Sequence, residues 1–289
     1  MSVEQRLLRW CADQQRTGHR PVIGLNGPVG AGKSTLSRQL QAGFAREGLR
    51  LAVASIDDAY LPWQARLEAM AGNPYGVNRV PPGSHDPAAL VEEIRAWREA
   101  GGADLQLPRF DKTLRQGAGD RVQDWRGEAD ALLLEGWLLG CRPLPGLQLD
   151  AVAGLELLKG FSAAELDWML RCNQALERYL PLWAELDRLV MLWPLRWSLP
   201  RRWRLQAEAK QRRKGGGWLP ASQLESIVKA TLQSLPPSLY QQPVLAQASE
   251  VRVLDGRRRN VWEGSGEAAL AWLDQPCSGS SSATGYTKP

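Results

Sequence analysis

Near the amino terminus the chain reads Gly27-Pro-Val-Gly-Ala-Gly32-Lys33-Ser34, which satisfies the pattern Gly-x-x-x-x-Gly-Lys-Ser/Thr in full. In such a turn the glycines let backbone N–H groups converge on phosphate oxygens. The helix that follows adds its dipole, the lysine reaches the outer phosphates, and the hydroxyl can hold magnesium. The stretch Gly27, Pro28, Val29, Gly30, Ala31, Gly32, Lys33, Ser34 and Thr35 is therefore expected to bind a nucleotide's phosphates, with Lys33 on the outer phosphates and Ser34 on Mg2+.

Two acidic positions stand where such a turn could use them. Asp57-Asp58 follows an apolar run, and a carboxylate there can accept a hydroxyl proton or bind metal. Leu132-Leu-Leu-Glu135-Gly136 puts an acid at the end of a second run, close to where these sites hold the metal or its water shell. The candidate metal set is thus Ser34, Asp57 and Glu135. His85, in Gly83-Ser-His-Asp86, reads either as a hydrogen-bonding structural residue or as a catalyst. Pro108-Arg-Phe-Asp-Lys112 and Gly117-Ala-Gly-Asp-Arg121 offer Arg109, Lys112 and Arg121 in a glycine-containing loop region suited to gripping an anion, with solvated surface charge as the alternative.

Composition removes several chemistries. With 44% hydrophobic and 23% charged residues the 289-residue chain has globular values, and no apolar run is long enough for a membrane helix. Cys11, Cys141, Cys172 and Cys277 lie too far apart in sequence for a zinc ribbon, and His19 and His85 are the only histidines. A reduced cytoplasmic protein without a zinc centre is expected. The net charge of +5 is concentrated: residues 196–214 carry eight bases (Arg196, Arg201, Arg202, Arg204, Lys210, Arg212, Arg213, Lys214) and one acid, Glu208. That segment is +7 and the remainder −2, so it reads as a lid for a polyanionic small molecule or as a nucleic-acid patch.

These groups need elements to hold them. Val22–Asn26 reads as a strand into the turn and Ser34–Arg46 as the helix out of it. Leu51–Ile56, Ala131–Leu134, Leu189–Trp193 and Val251–Leu254 read as further strands. Asp86-Pro87 starts a helix carrying Leu90, Val91, Ile94 and Trp97 on one face, while Ser162–Glu165 and Ser222–Glu225 read as capping boxes. The alternation predicts an α/β fold: a P-loop three-layer sandwich with a mainly parallel central sheet, one domain over 1–275. Its N-terminal helix falls within 1–20 and its basic helical lid within about 196–218. The Ser/Gly/Thr-rich segment 276–289 reads as a disordered tail.

As an ordered series these motifs resemble the P-loop D-glycerate 3-kinases of plants, fungi and cyanobacteria, relatives of uridine kinase, phosphoribulokinase and bacterial pantothenate kinase. The series comprises Gly27–Thr35, Ser55–Tyr60, Gly83–Asp86, Pro108–Lys112 with Gly119–Arg121, Glu135-Gly-Trp137, Asn173 through Tyr179, and Trp203-Arg-Leu-Gln-Ala-Glu208. The resemblance implies that Asp57, matching the first acid of the wider group's Asp-x-Phe-Tyr motif, is the base and that Arg204 acts from the lid. Lys33 and Glu135 complete the catalytic set, and Asp58, Tyr60, His85, Arg109, Lys112 and Arg121 become the acceptor-binding set. Ala59 departs from the usual aromatic, and Arg213–Trp218 departs from the usual connection after the lid. The activity implied is phosphorylation, with ATP and Mg2+, of a small hydroxy acid at the 3-hydroxyl of D-glycerate, by a cytoplasmic monomer without nucleic-acid or membrane partners. Another P-loop metabolite kinase, a nucleic-acid-stimulated P-loop ATPase and a nucleotide-binding regulatory protein are the competing readings.

Overall fold

The structure, a computed structural model, describes residues 1–99, 104–147, 155–213 and 220–275. Its strands are β1 (Val22–Asn26), β2 (Leu51–Ser55), β3 (Leu105–Asp111), β4 (Asp120–Gly127), β5 (Ala131–Gly136), β6 (Arg188–Pro194), β7 (Glu250–Leu254) and β8 (Asn260–Gly264). Six of them form one sheet in the order β2-β5-β1-β6-β7-β8, parallel except for β8. The strands predicted at 22–26, 51–56, 131–134, 189–193 and 251–254 are its five parallel members.

Both faces of this sheet are covered, which is why its strands are continuous apolar runs rather than alternating ones. Successive side chains still divide between the two sides. Ile23, Leu25, Leu133 and Val190 join one core, with Leu7 and Cys11 of the helix Val3–Arg16, Leu36, Leu40 and Phe44 of the helix Lys33–Arg46, and Trp203. Val22, Leu132, Leu134 and Met191 join the other, with Leu90, Ile94 and Trp97 of the helix Pro87–Glu99 and Trp168 of the helix Ala163–Ala175. Helix, sheet, helix is the predicted sandwich. Trp97 and Trp203 are among the largest fully buried side chains, each worth roughly 1.5–3 kcal/mol or more of transfer free energy.

The helix ends follow local chemistry. Ser2 and Ser162 both form capping boxes, and Asp86 Oδ1 accepts the Ala89 N–H. The capping box expected at Ser222 is absent: Pro220 takes the cap position, and the helix Ala221–Ser234 starts two residues earlier. Proline supplies the extended entry there without a side-chain acceptor. A second difference lies at 105–127, where the expected anion-gripping loop is the antiparallel hairpin β3–β4. Glycine and charge marked only its turn; the strands, broken by a register shift at Pro108, lacked a clear alternation. The segments 214–219 and 276–289, including Lys214 and the predicted tail, lie outside the described residues.

Candidate active site

The parallel strands bring three chain segments to one edge. Leu25 and Ser55 both lie in register with Glu135, so β5 sets its terminal acid between the strand that enters the glycine turn and the strand that leads to Asp57. Gly30 and Gly32 have φ of 78° and 99°, left-handed values that turn the backbone into the helix starting at Lys33. Lys33 Nζ folds back to donate to the carbonyls of Gly27, at 2.7 Å, and Pro28, at 3.3 Å. Burial pushes the Lys33 ammonium below its ordinary range, against the pull of Glu135 and Asp57. A polyphosphate in the turn would offer that ammonium better partners than two carbonyls.

Ser34 Oγ donates to Glu135 Oε1 at 3.1 Å, while Glu135 Oε2 is buried with no hydrogen-bond partner among the described residues. A hydroxyl and an orphaned carboxylate oxygen are hard donors, and they fit a magnesium ion that completes its shell with phosphate oxygens and water. Asp57 differs, because both its oxygens are engaged. Tyr60 Oη donates to Oδ1 at 2.7 Å and Lys112 Nζ donates to Oδ2 at 2.8 Å. Among the described residues no cluster of three or more His, Cys, Asp or Glu could hold a metal by itself.

Asp57 sits on a short 3-10 turn, Ile56–Ala59, that Ser55 and Asp58 cap reciprocally. Its side chain keeps 25% exposure. Burial pushes its carboxyl up, but the Lys112 ammonium and His85 outweigh this and hold it well below the usual carboxylate range. Asp58 turns the other way: Oδ2 accepts the Ser55 N–H at 3.0 Å and pairs with Arg109 at 3.3 Å, and burial raises its carboxyl. The two adjacent aspartates are equally exposed, at 25%, and differ in their partners: a tyrosine and a lysine for Asp57, the turn's own backbone and an arginine for Asp58.

The other predicted residues divide similarly. Tyr60 and His85 have no exposed surface and stand behind Asp57, so their reach into the site runs through that carboxylate. Arg109 donates to Asp58 and to the Val53 carbonyl and lies over Trp125, tying the hairpin to β2. Arg121 donates to the Tyr60 carbonyl and lies 3.9 Å from Asp86. Lys112, half exposed at the hairpin end, meets the site through Asp57 Oδ2.

The basic segment is the helix Leu199–Arg213, which is seated on the glycine turn. A Cβ on Gly30 would lie 2.8 Å from Trp203 Cβ and 3.0 Å from the Arg204 amide nitrogen, so only glycine allows this approach. Arg204 itself pairs with Glu208 at 3.2 Å, and its Nε is buried without a partner among the described residues. The position sequence reasoning missed is Arg258, in the β7–β8 turn. It donates to the carbonyls of Gly30, at 2.7 Å, and Trp203, at 2.8 Å, binding turn and helix together. Its φ of 62° is rare for a non-glycine residue, and the run Asp255-Gly-Arg-Arg-Arg259 gave no sign of which arginine turns inward. Tyr179, quoted only as the end of a motif, was given no role, and the buried Arg66 was missed; Arg66 donates to the carbonyls of Leu61, Ala118 and Gly119, fastening the hairpin turn under Phe110.

Comparison with known proteins agrees with this geometry. Residues 3–62, the glycine turn and its flanks, match the family described as methylmalonyl Co-A mutase-associated GTPase MeaB, which is less than half the chain. The chain is 30% identical over 256 residues to the chloroplastic D-glycerate 3-kinase of Arabidopsis thaliana, covering 80% of this chain and 53% of that protein. It is 28% identical over 216 residues to the uncharacterized kinase mug58 of Schizosaccharomyces pombe, covering 71% of this chain and 76% of that one. A solved D-glycerate 3-kinase from Cryptococcus neoformans superposes with a TM-score of 0.75 at 25% identity, over 92% of this chain and 99% of that chain. The chain spans about half the length of the plant protein, three quarters of the Schizosaccharomyces one and nearly all of the Cryptococcus one. Over most of its length the chain is thus a P-loop small-molecule kinase similar to the D-glycerate 3-kinases.

Proposed function

We propose that the chain transfers the γ-phosphoryl group of ATP to the 3-hydroxyl of D-glycerate, giving 3-phosphoglycerate and ADP. The observation that carries the reading is Asp57: an ionised, partly exposed carboxylate at the sheet edge that also holds the glycine turn, with a cation beside it. The acceptor hydroxyl oxygen attacks the γ-phosphorus, the bond to the β–γ bridging oxygen breaks, and the hydroxyl proton passes to Asp57. Lys33 leaves its two carbonyls to follow the charge on the transferred group, and Arg204, beside the turn, acts on the same charge from the helix. Ser34 and Glu135 would hold Mg2+, which when bound neutralises charge on the β- and γ-oxygens.

Glycerate adds one carboxylate to the site, and a cation must meet it. All three predicted cations already have partners, Arg109 in Asp58 and the Val53 carbonyl, Arg121 in the Tyr60 carbonyl and Lys112 in Asp57, and of the three only Lys112 is half exposed, which makes it the best placed candidate. In this reading Lys112 swings from Asp57 to the carboxylate of the arriving acceptor, so substrate binding and freeing of the base are one event. The protein acts as a cytoplasmic monomer, which light scattering after gel filtration would check; no helix among the described residues is long and apolar enough to cross a membrane. The test of the reaction is ADP release with D-glycerate, L-glycerate, glycerol, uridine, pantothenate and ribulose 5-phosphate at equal concentration. D-glycerate is expected to be fastest and glycerol poor. Uridine or pantothenate ahead of it would refute the glycerate assignment, and release with none of the six would refute small-molecule transfer of this class.

A further inference from the structure

Behind Asp57 runs a line of buried polar atoms that the transfer step leaves without a task. His85 Nε2 lies 3.6 Å from Asp57 Oδ1 and has no hydrogen-bond partner nearer. His85 Nδ1 lies 2.8 Å from Tyr179 Oη, which also accepts the Gly83 N–H at 3.0 Å. The imidazole stacks on Tyr60 with ring centroids 4.5 Å apart, and Tyr60 Oη donates to the same Asp57 oxygen. Tyr60, His85 and Tyr179 are all fully buried.

Counting donors and acceptors fixes the tautomer. A phenol has one proton and two lone pairs. Gly83 N–H occupies a lone pair of Tyr179 Oη, and the hydroxyl proton needs an acceptor, which His85 Nδ1 supplies. Nδ1 is then unprotonated, and the ring proton sits on Nε2, facing Asp57. The other tautomer would aim the Nδ1–H at a phenol oxygen already taken by the Gly83 N–H, or at Ser84 Oγ, which at 3.5 Å is much farther off and gives its own proton to the Pro81 carbonyl; either way it would strand the Tyr179 O–H and set a nitrogen lone pair against a carboxylate. The doubly protonated ring is disfavoured because burial pushes the His85 imidazole down, with Lys112 and Arg66 adding to that push and Asp57 opposing it. The separation of 3.6 Å is just outside a formed hydrogen bond, as catalytic pairs often are before substrate closes the site.

We propose that Tyr179 and His85 are positioning residues for Asp57: the Tyr179 hydroxyl holds His85 as its Nε2–H tautomer, and that N–H, with the Tyr60 O–H, fixes Oδ1 so that Oδ2 meets the acceptor hydroxyl. This rests on Asp57 being the base. A single proton on Tyr179, two residue contacts away from the substrate, thereby decides which lone pairs the base presents.

The chain has two histidines, so a 15N spectrum of its imidazoles contains two rings. His85 is expected as neutral Nε2–H in the unaltered chain and as a mixture with Nδ1–H in Tyr179→Phe. An Nδ1–H ring in the unaltered chain overturns the proposal whatever the reaction proves to be. In kinetics, Tyr179→Phe should lower kcat about tenfold, the worth of one hydrogen bond to a charged group, with the ATP KM unchanged. The acid limb of kcat/KM should move to higher pH, because Asp57 loses a donor that favours its ionised form. His85→Gln replaces the ring with an amide whose N–H can reach Asp57 without the Tyr179 hydroxyl setting a tautomer, so it should lose activity itself, and adding Tyr179→Phe to it should cost nothing more. An equal loss from Tyr179→Phe in both backgrounds would make Tyr179 a packing residue and end the proposal. Full activity in Asp57→Asn would remove the base itself, a separate failure that leaves the tautomer measurement standing and the positioning role refuted.

Discussion

Gly30→Ala tests whether the basic helix is seated on the phosphate turn, and the neighbouring Gly32→Ala supplies its control. Both glycines have positive φ, so each alanine carries the left-handed penalty of about 1–2 kcal/mol. Their surroundings differ. A Cβ at position 32 meets nothing within 4 Å, whereas at position 30 it meets Trp203 Cβ at 2.8 Å, Trp203 C at 2.9 Å and Arg204 N at 3.0 Å. Two of these three are helix backbone, so no rotamer change can relieve them, and Trp203 is fixed by its own bond to the Gly256 carbonyl at 3.2 Å. Overpacking of this kind costs about 1–3 kcal/mol. Gly30→Ala should therefore lose about 2–5 kcal/mol in urea unfolding and Gly32→Ala about 1–2 kcal/mol, a difference that is the packing term alone. The assay is a pair of denaturation curves with equal m-values. Equal losses, or a larger loss for Gly32→Ala, would refute the close approach and with it the contact between Arg204 and the phosphate turn.

Three other outcomes follow from the site. Lys33→Met should abolish detectable ADP release yet leave the midpoint of unfolding unchanged or higher, because a buried ammonium held by two carbonyls is replaced by an apolar chain of similar length; parallel turnover and unfolding measurements decide it. Asp57→Asn should cut kcat by about 10²–10⁴-fold with the ATP KM retained, while Asp58→Asn should mainly lose stability through the Ser55 cap and Arg109, and reversed effects would exchange the two roles. Lys112→Met removes a cation that holds Asp57 low, so the Asp57 pKa rises and the acid limb of the rate profile moves to higher pH. Lys112 is half exposed, so solvent screens the pair and the movement should be small. A limb that stays fixed or moves down would refute the pairing.

How far the residues announced the site depends on the kind of interaction involved. The glycine turn, Asp57 and Glu135 were legible because each is tied to a strand end by local pattern: apolar run, then polar chemistry. Parallel pairing then brings those ends together without further instruction, which is the general behaviour of open α/β sheets. The same reasoning placed Leu90, Val91, Ile94 and Trp97 on one buried face, as the structure has them. What it could not reach are contacts between segments far apart in the chain. Arg109 looked like an anion-binding arginine and instead ties β3 to β2, because its partner Asp58 is 51 residues away. Arg258 meets Gly30 across 228 residues, and nothing local separates it from Arg257 or Arg259.

The difference between Asp57 and Asp58 shows why a motif alone underdetermines chemistry. The two are adjacent and identical in type, yet one is held ionised by a lysine and an imidazole that arrive from other segments, and the other is spent on a cap and an arginine. The group held low is a weak base at rest, and a weak base is useful only if something raises it at the right moment. Lys112 is the largest influence holding Asp57 down, and it is also half exposed. An anionic acceptor that draws Lys112 away therefore strengthens the base as it binds. A neutral acceptor leaves the pair intact, so Lys112→Met should narrow the gap between glycerate and glycerol by raising the glycerate KM while improving glycerol turnover. Progress curves for both acceptors at pH 7 and pH 6 would show it, and an unchanged ratio would mean that Lys112 neither meets the carboxylate nor gates the base.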